Sequence, residues 1–239
     1  MKKILYSVAL AACCMGTMTS CSDFLDASNK SNVTDKQTFA TKEGFNSLVN
    51  DAYQHLQNVY AAPLFTSCFS AGTDMYADAR NKMNEALNTY ETLTPENTDI
   101  KNLYTYLYSG IRAANSVSYY AQTAQVDEKT KGQLVGEARV LAAYEYYLLV
   151  NNFGGVPIMK DFLTTADTGY PKSSAADVYA YIISELEDVI SKNVLQASTA
   201  TKGGGRISQE TAKAILAKTY LSAAWDLNKQ DYFSKAAAL

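Results

Sequence analysis

The sequence is poor in the side chains from which most catalytic and metal centres are built. Its 239 residues include one histidine, four cysteines, one tryptophan and four prolines. Cys13 and Cys14 lie in an apolar N-terminal segment, so only Cys21 and Cys68 fall beyond it. One histidine and so few thiols cannot assemble a His/Cys metal cluster. A Ser-His-Asp triad would have to use His55, and no nucleophile-elbow sequence accompanies it. Gly203-Gly204-Gly205 is followed by Arg206 and lacks the Gly-Lys-Ser/Thr ending of a phosphate loop, so it reads as a connector. No cofactor is expected. Glu185, Glu187 and Asp188 cluster in sequence, but along one helix they read as a solvated face; a glycosidase needs two carboxylates facing each other across a cleft. A net charge of −3 with no basic run removes the positive footprint that nucleic-acid binding needs. The absences together point away from an enzyme.

The N-terminus carries an address. Lys2 and Lys3 precede an uncharged, mostly apolar run from Ile4 to Gly16. That run is shorter than the roughly 20 residues a membrane-spanning helix requires. A basic start, a short apolar centre and small residues before a break define a secretory signal peptide. The break, Met18-Thr19-Ser20-Cys21, resembles a bacterial lipobox, with Met18 where leucine is usual. It predicts cleavage after residue 20 and acylation (palmitate-type) of Cys21; the alternative is ordinary cleavage that leaves Cys21 a free thiol. Residues 21–40 are polar and aperiodic and read as a lipidated tether. Cys68 would then stand alone, without an internal disulfide.

From residue 41 the pattern turns helical. Phe45, Leu48, Val49, Ala52, Leu56 and Val59 recur at three- and four-residue steps. His55 sits beside that stripe as a boundary residue. Residues 61–97, with Pro63, Gly72 and Pro95, read as irregular. Further helices are predicted over about 99–123, over 129–152 with a Gly154-Gly155-Val156-Pro157 stop, over 174–192 and over 208–227. Ser174 with Asp177, and Ser208, supply N-caps. Asp231–Leu239 opens a sixth helix without a terminator. The expected fold is all-α, a tetratricopeptide-like helical-repeat scaffold with long irregular loops, truncated at its C-terminus because such pairs need stacked neighbours. Glu137 and Arg139, beside the stripe Leu134, Ala138, Leu141, Tyr144 and Leu148, read as ties between helices.

Tyrosine is in excess, 18 against 8 phenylalanines. Most fit core and boundary packing, since a phenol combines apolar area with a hydroxyl. In the irregular stretch, however, Asp74-Met75-Tyr76-Ala77-Asp78-Ala79-Arg80-Asn81 pairs an aromatic ring with planar polar groups. That combination suits a sugar, whose apolar ring face stacks and whose hydroxyls need planar partners. Asp74, Tyr76, Asp78, Arg80, Asn81 and, further on, Tyr90 are the candidate ligand contacts; an ordinary polar loop is the alternative.

Four ordered segments resemble SusD-like (RagB/SusD) lipoproteins: Cys21-Ser22-Asp23-Phe24-Leu25-Asp26, the helix from Tyr104 to Asn115, the run Gly136 to Tyr144 with Tyr147 and Asn152 to Pro157, and Gly205-Arg206-Ile207-Ser208 leading into Ala212–Ala217. The resemblance covers the N-terminal part of a longer family. It implies a helical scaffold over 41–239 and a lipid-anchored protein of the outer membrane that faces the exterior. It further implies a SusC-like TonB-dependent transporter as partner and a glycan or other nutrient as ligand. It also implies ligand contact near the 74–81 segment, where the starch-binding type places a tryptophan; the only Trp here is Trp225, inside a helix, so Tyr76 or Tyr90 would substitute. The competing expectations are a peptide-binding member of the same family and a non-catalytic helical adaptor for another protein.

Overall fold

A computed structural model describes residues 35–61, 64–76, 85–165, 169–198 and 205–239. Its described residues form helices α1 (Asp35–Ala40), α2 (Lys42–Tyr60), α3 (Leu64–Phe69), α4 (Glu85–Thr89), α5 (Thr98–Tyr120), α6 (Glu128–Phe153), α7 (Ala175–Lys192), α8 (Gln209–Asp226) and α9 (Asp231–Ala237). Among those residues there is no strand, only an isolated bridge between Thr73 and Tyr76. The all-α expectation holds.

The long helices begin where side chains satisfy the orphan N–H groups of the first turn. Asn97 accepts from Asp99 N and Ile100 N at 3.0 and 3.1 Å. Ser174 accepts from Asp177 N at 3.1 Å, and Ser208 from Thr211 N at 3.1 Å. Helix α6 ends at Gly154, whose φ of 68° lies in the region that glycine enters without penalty. Gly155 follows for a different reason: a Cβ there would lie 2.2 Å from Ser173 O. The helix-to-strap exit therefore needs both glycines.

Neighbours in sequence are neighbours in space. Helix α5 packs on α2 and α6, α6 on α7, α7 on α8, and α8 on α9. This nearest-neighbour stacking is the physics of a helical repeat, in which each element buries its apolar stripe on the next. Phe45, Leu107, Ile111, Leu141, Tyr146, Leu149, Ile182 and Leu186 form the centre of one continuous core. Each such burial is worth about 1.5–3 kcal/mol.

Three short helices were not expected. Helices α3 and α4 interrupt the stretch read as irregular, and α1 lies inside the segment read as tether. The last is held by packing: the Phe39 ring sits 4.8 Å from Tyr120, and Gln125 N donates to Ala40 O at 2.7 Å. The helical body accordingly starts near Lys36.

Polar side chains join the layers. Arg139 Nε donates to Glu185 Oε2 at 2.7 Å and its Nη1 to Asp188 Oδ2 at 2.6 Å, tying α6 to α7. The α7 carboxylates expected on a solvated face do reach solvent, Glu187 as an exposed side chain and Glu185 and Asp188 in part, but the last two also meet a guanidinium from α6. Glu187 likewise accepts from the Tyr220 hydroxyl at 2.5 Å. Glu137, fully buried, receives Arg206 Nε at 2.9 Å, Tyr53 Oη at 2.9 Å and Gln133 Nε2 at 3.0 Å. Tyr53 Oη in turn accepts from Ile207 N at 2.8 Å, so one carboxylate joins α2, α6 and the strand-like lead into α8. Both Glu137 and Arg139 do the structural work expected of them. His55 is half-buried, its Nε2 3.9 Å from Asp51, as a boundary residue would be.

Candidate functional site

Of the six candidate contacts, Asp74, Tyr76 and Tyr90 are described; Asp78, Arg80 and Asn81 lie outside the described residues. The chain leaves α3 through a tight turn. Ala71 N donates to Thr66 O at 2.8 Å, Thr73 Oγ1 to Ser70 O at 2.8 Å, and Tyr76 N to Thr73 O at 3.4 Å. Gly72 takes a φ of 75° at the centre of that turn. Directly over it lies the phenol of Tyr90, whose hydroxyl donates to Gly72 O at 3.3 Å. A Cβ on Gly72 would come within 2.3 Å of that hydroxyl. Glycine is required here both for the turn and for the approach of the ring.

Tyr90 itself sits just past α4 with a φ of 64°, a left-handed conformation that costs a non-glycine residue about 1–2 kcal/mol. The structure therefore brings Tyr90 onto the same turn that carries Asp74 and Tyr76. All three are exposed, Tyr76 at 42 % and Tyr90 at 58 %.

At the junction of α2 and α3 lies an aromatic group that sequence reasoning missed. Tyr60 and Phe65 are also exposed. Their rings stand 5.3 Å apart, and Phe65 stacks on Phe69 at 5.4 Å. The Tyr60 hydroxyl shares a short hydrogen bond with that of Tyr144 on α6. The Tyr144 ring lies nearly parallel to that of Tyr147, at 6.0 Å. Burial, and then the Tyr144 hydroxyl, push the Tyr60 phenol far up, so it stays neutral and available as a hydrogen-bond group. Tyr60 is the last residue of α2, and Phe65, Tyr76 and Tyr90 come from the segment between α2 and α5. An exposed aromatic grouping of this kind marks a binding surface more often than chance. Its signal in the sequence is weak: Tyr144 falls in a helical stripe and reads as core, and Phe65 and Phe69 fall in the stretch read as irregular, without the polar neighbours of residues 74–81.

The chemistry on offer is stacking and hydrogen bonding. Cys68 is half-buried, and burial pushes its thiol up to about 11, which removes the thiolate a nucleophile needs. Among the described residues no three His, Cys, Asp or Glu side chains are grouped to hold a metal ion. No described helix is long and apolar enough to cross a membrane. Trp225 is on α8, as expected, but stands 77 % exposed against the edge of Phe233.

Comparison with known proteins gives this geometry a context. The chain matches the SusD-like profile described as starch-binding, associating with the outer membrane, over residues 23–221. It is 28 % identical over 190 residues to SusD-like protein P38 of Formosa agariphila, spanning 77 % of this chain and 36 % of that one. A SusD-like protein of Bacteroides ovatus is 26 % identical, over 84 % of this chain and 36 % of its own length. The chain thus spans about a third of the length of these relatives. Among solved structures, surface glycan-binding protein A of Bacteroides uniformis is 26 % identical with a TM-score of 0.64, over 81 % of this chain and 44 % of that one. A SusD homologue of Bacteroides thetaiotaomicron shares the fold at a TM-score of 0.72 and 21 % identity, over 88 % and 42 %. With a profile match over most of its length and the helical stack those structures share, the chain belongs to the SusD-like family.

Proposed function

We propose that this protein is a cell-surface glycan-binding lipoprotein, held in the outer membrane through acylated Cys21, that captures oligosaccharides and passes them to a SusC-like TonB-dependent transporter. Residues 1–20 are the signal peptide, 21 to about 34 the tether, and the helices that follow the binding body. Capture breaks no bond. The carrying observation is the turn on which Tyr76 and Tyr90 stand exposed near Asp74, with Tyr90 held on it by its hydrogen bond to Gly72. Rings presented this way offer a flat apolar face at low entropic cost, and the adjacent carboxylate accepts sugar hydroxyls. Family membership supports the glycan reading over the adaptor reading, since the profile's own description is starch-binding.

Titration calorimetry against a panel of plant, algal and host oligosaccharides tests the proposal. Tyr76→Ala is expected to weaken binding at least tenfold without lowering the melting temperature, because the side chain is exposed. Unchanged affinity would remove Tyr76 from the site, and no binding by the wild type to any glycan would favour a protein ligand. Radiolabelled palmitate incorporation that persists in Cys21→Ser would overturn the anchor.

A further inference from the structure

A second concavity shares no residue with the Tyr76–Tyr90 turn. It lies between α5 and the strap formed by residues 157–165, with Tyr170 beside it, and has a volume of about 680 Å³. That falls within the roughly 300–1,000 Å³ typical of small-molecule sites. Its walls include the rings of Tyr104, Tyr108 and Tyr170. The strap is pinned in place: Tyr108 Oη donates to Pro157 O at 2.7 Å, and Asn115 Nδ2 to Met159 O at 2.9 Å. Met159 N also donates to Tyr146 Oη at 2.7 Å, so the cavity is formed before any ligand arrives.

Its polar groups are unusual. The Arg112 guanidinium lies over the Phe162 ring, 5.0 Å from the centroid, and makes no ion pair among the described residues. Asp161 lines the same cavity and is likewise unpaired among them. Both side chains are exposed, and neither has a hydrogen-bond or ion-pair partner among the described residues, so each can turn its planar hydrogen-bonding edge to a ligand. A guanidinium and a carboxylate held apart are matched by a ligand that offers both donors and acceptors, and the two charges cancel, so neither an anion nor a cation is selected. Vicinal hydroxyls on a sugar ring supply that pattern, and the tyrosine faces supply the stacking surface.

We propose that this cavity is a second carbohydrate subsite, taking a short neutral oligosaccharide unit between Arg112 and Asp161. The inference rests on the glycan reading above and adds a separate site to it. The test uses the whole chain, titrated with maltohexaose, laminarihexaose, xylohexaose and trigalacturonate, and followed by calorimetry and two-dimensional NMR. In a Tyr76→Ala/Tyr90→Ala background, at least one neutral oligosaccharide is expected still to bind. Adding Arg112→Gln and Asp161→Asn is expected to weaken that residual binding at least tenfold. Both residues are exposed, so circular dichroism should show an unchanged fold. Residual binding that is insensitive to these two changes, or confined to trigalacturonate, overturns the proposal. Complete loss of binding in the Tyr76→Ala/Tyr90→Ala background overturns it too, while leaving the glycan reading intact. A wild type that binds none of the four sinks both.

Discussion

Glu145 offers the sharpest test of the packing. It sits on α6 where that helix crosses α5, wholly buried, and neither carboxyl oxygen has a hydrogen-bond partner among the described residues. Its neighbour is Gly110, on which a Cβ would fall 1.8 Å from Glu145 Oε1. Burial raises the carboxyl well above its ordinary range, so between the unfolded and the raised native value the folded protein holds a proton that the unfolded chain has released. The sign follows. Below the unfolded value, about 4.3, both states are protonated and folding carries no ionisation penalty. Above it the unfolded state binds fewer protons than the native state, so stability falls by about 1.4 kcal/mol per pH unit until the raised native value is reached. Glu145→Met keeps the length of the side chain and removes both the proton and the unpaired oxygens. At pH 4 the variant is expected to be more stable by about 1–3 kcal/mol, the cost of an unsatisfied buried polar group. The gap should then widen with rising pH, by up to about 1.4 kcal/mol per unit, until the native carboxyl itself ionises. Urea unfolding followed by circular dichroism at each pH measures it, with every other carboxylate cancelling between the two proteins. A gap that stays constant with pH would show that Glu145 is ionised in the fold, and the reasoning would fail.

Other changes probe the same framework. Gly110→Ala should destabilise by about 1–3 kcal/mol through overpacking; combining it with Glu145→Ala should recover part of that loss, and additive effects in a double-mutant cycle would deny the contact. Gly155→Ala drives a methyl toward Ser173 O and should cost a similar amount, read as a lower melting temperature; a silent substitution would mean the strap moves freely. Glu137→Ala strands Arg206 and the Tyr53 hydroxyl, and should cost about 3 kcal/mol in urea unfolding. A cost under about 1 kcal/mol would mean that Arg206 turns to solvent instead.

How much of this was legible before the structure differs from element to element, for physical reasons. Helices α2 and α5 to α8 were readable because each repeats its apolar stripe over several turns, and because Ser174, Ser208 and the Gly154-Gly155 pair punctuate them. Helices α1, α3 and α4 run six, six and five residues, too few turns for a period of 3.6 to show, and they exist through contacts such as Phe39 on Tyr120. The pairing of Glu185 and Asp188 with Arg139 was not legible, because a carboxylate beside a buried stripe looks the same in sequence whether it meets only water or also an arginine.

The same ambiguity governs the proposed binding surface. Tyr76 and Tyr90 stood out because an aromatic ring outside a helical period has no core to explain it. Tyr60 and Tyr144 did not, because a helical aromatic has two possible fates and its spacing is identical in both. What separates them is the partner. Tyr146, at the centre of α6, spends its hydroxyl on Met159 and is fully buried. Tyr144, two residues earlier, spends its own on Tyr60, which is itself half in solvent. A two-residue step on a helix turns a side chain about 200° around the axis, so one face of α6 can close the core while the opposite face supports the exposed rings. The excess of tyrosine over phenylalanine follows from this arrangement. A phenol placed at the edge of the stack can anchor its hydroxyl to the scaffold and still leave an apolar ring face for a ligand, which a phenylalanine in the same position could hold only by packing.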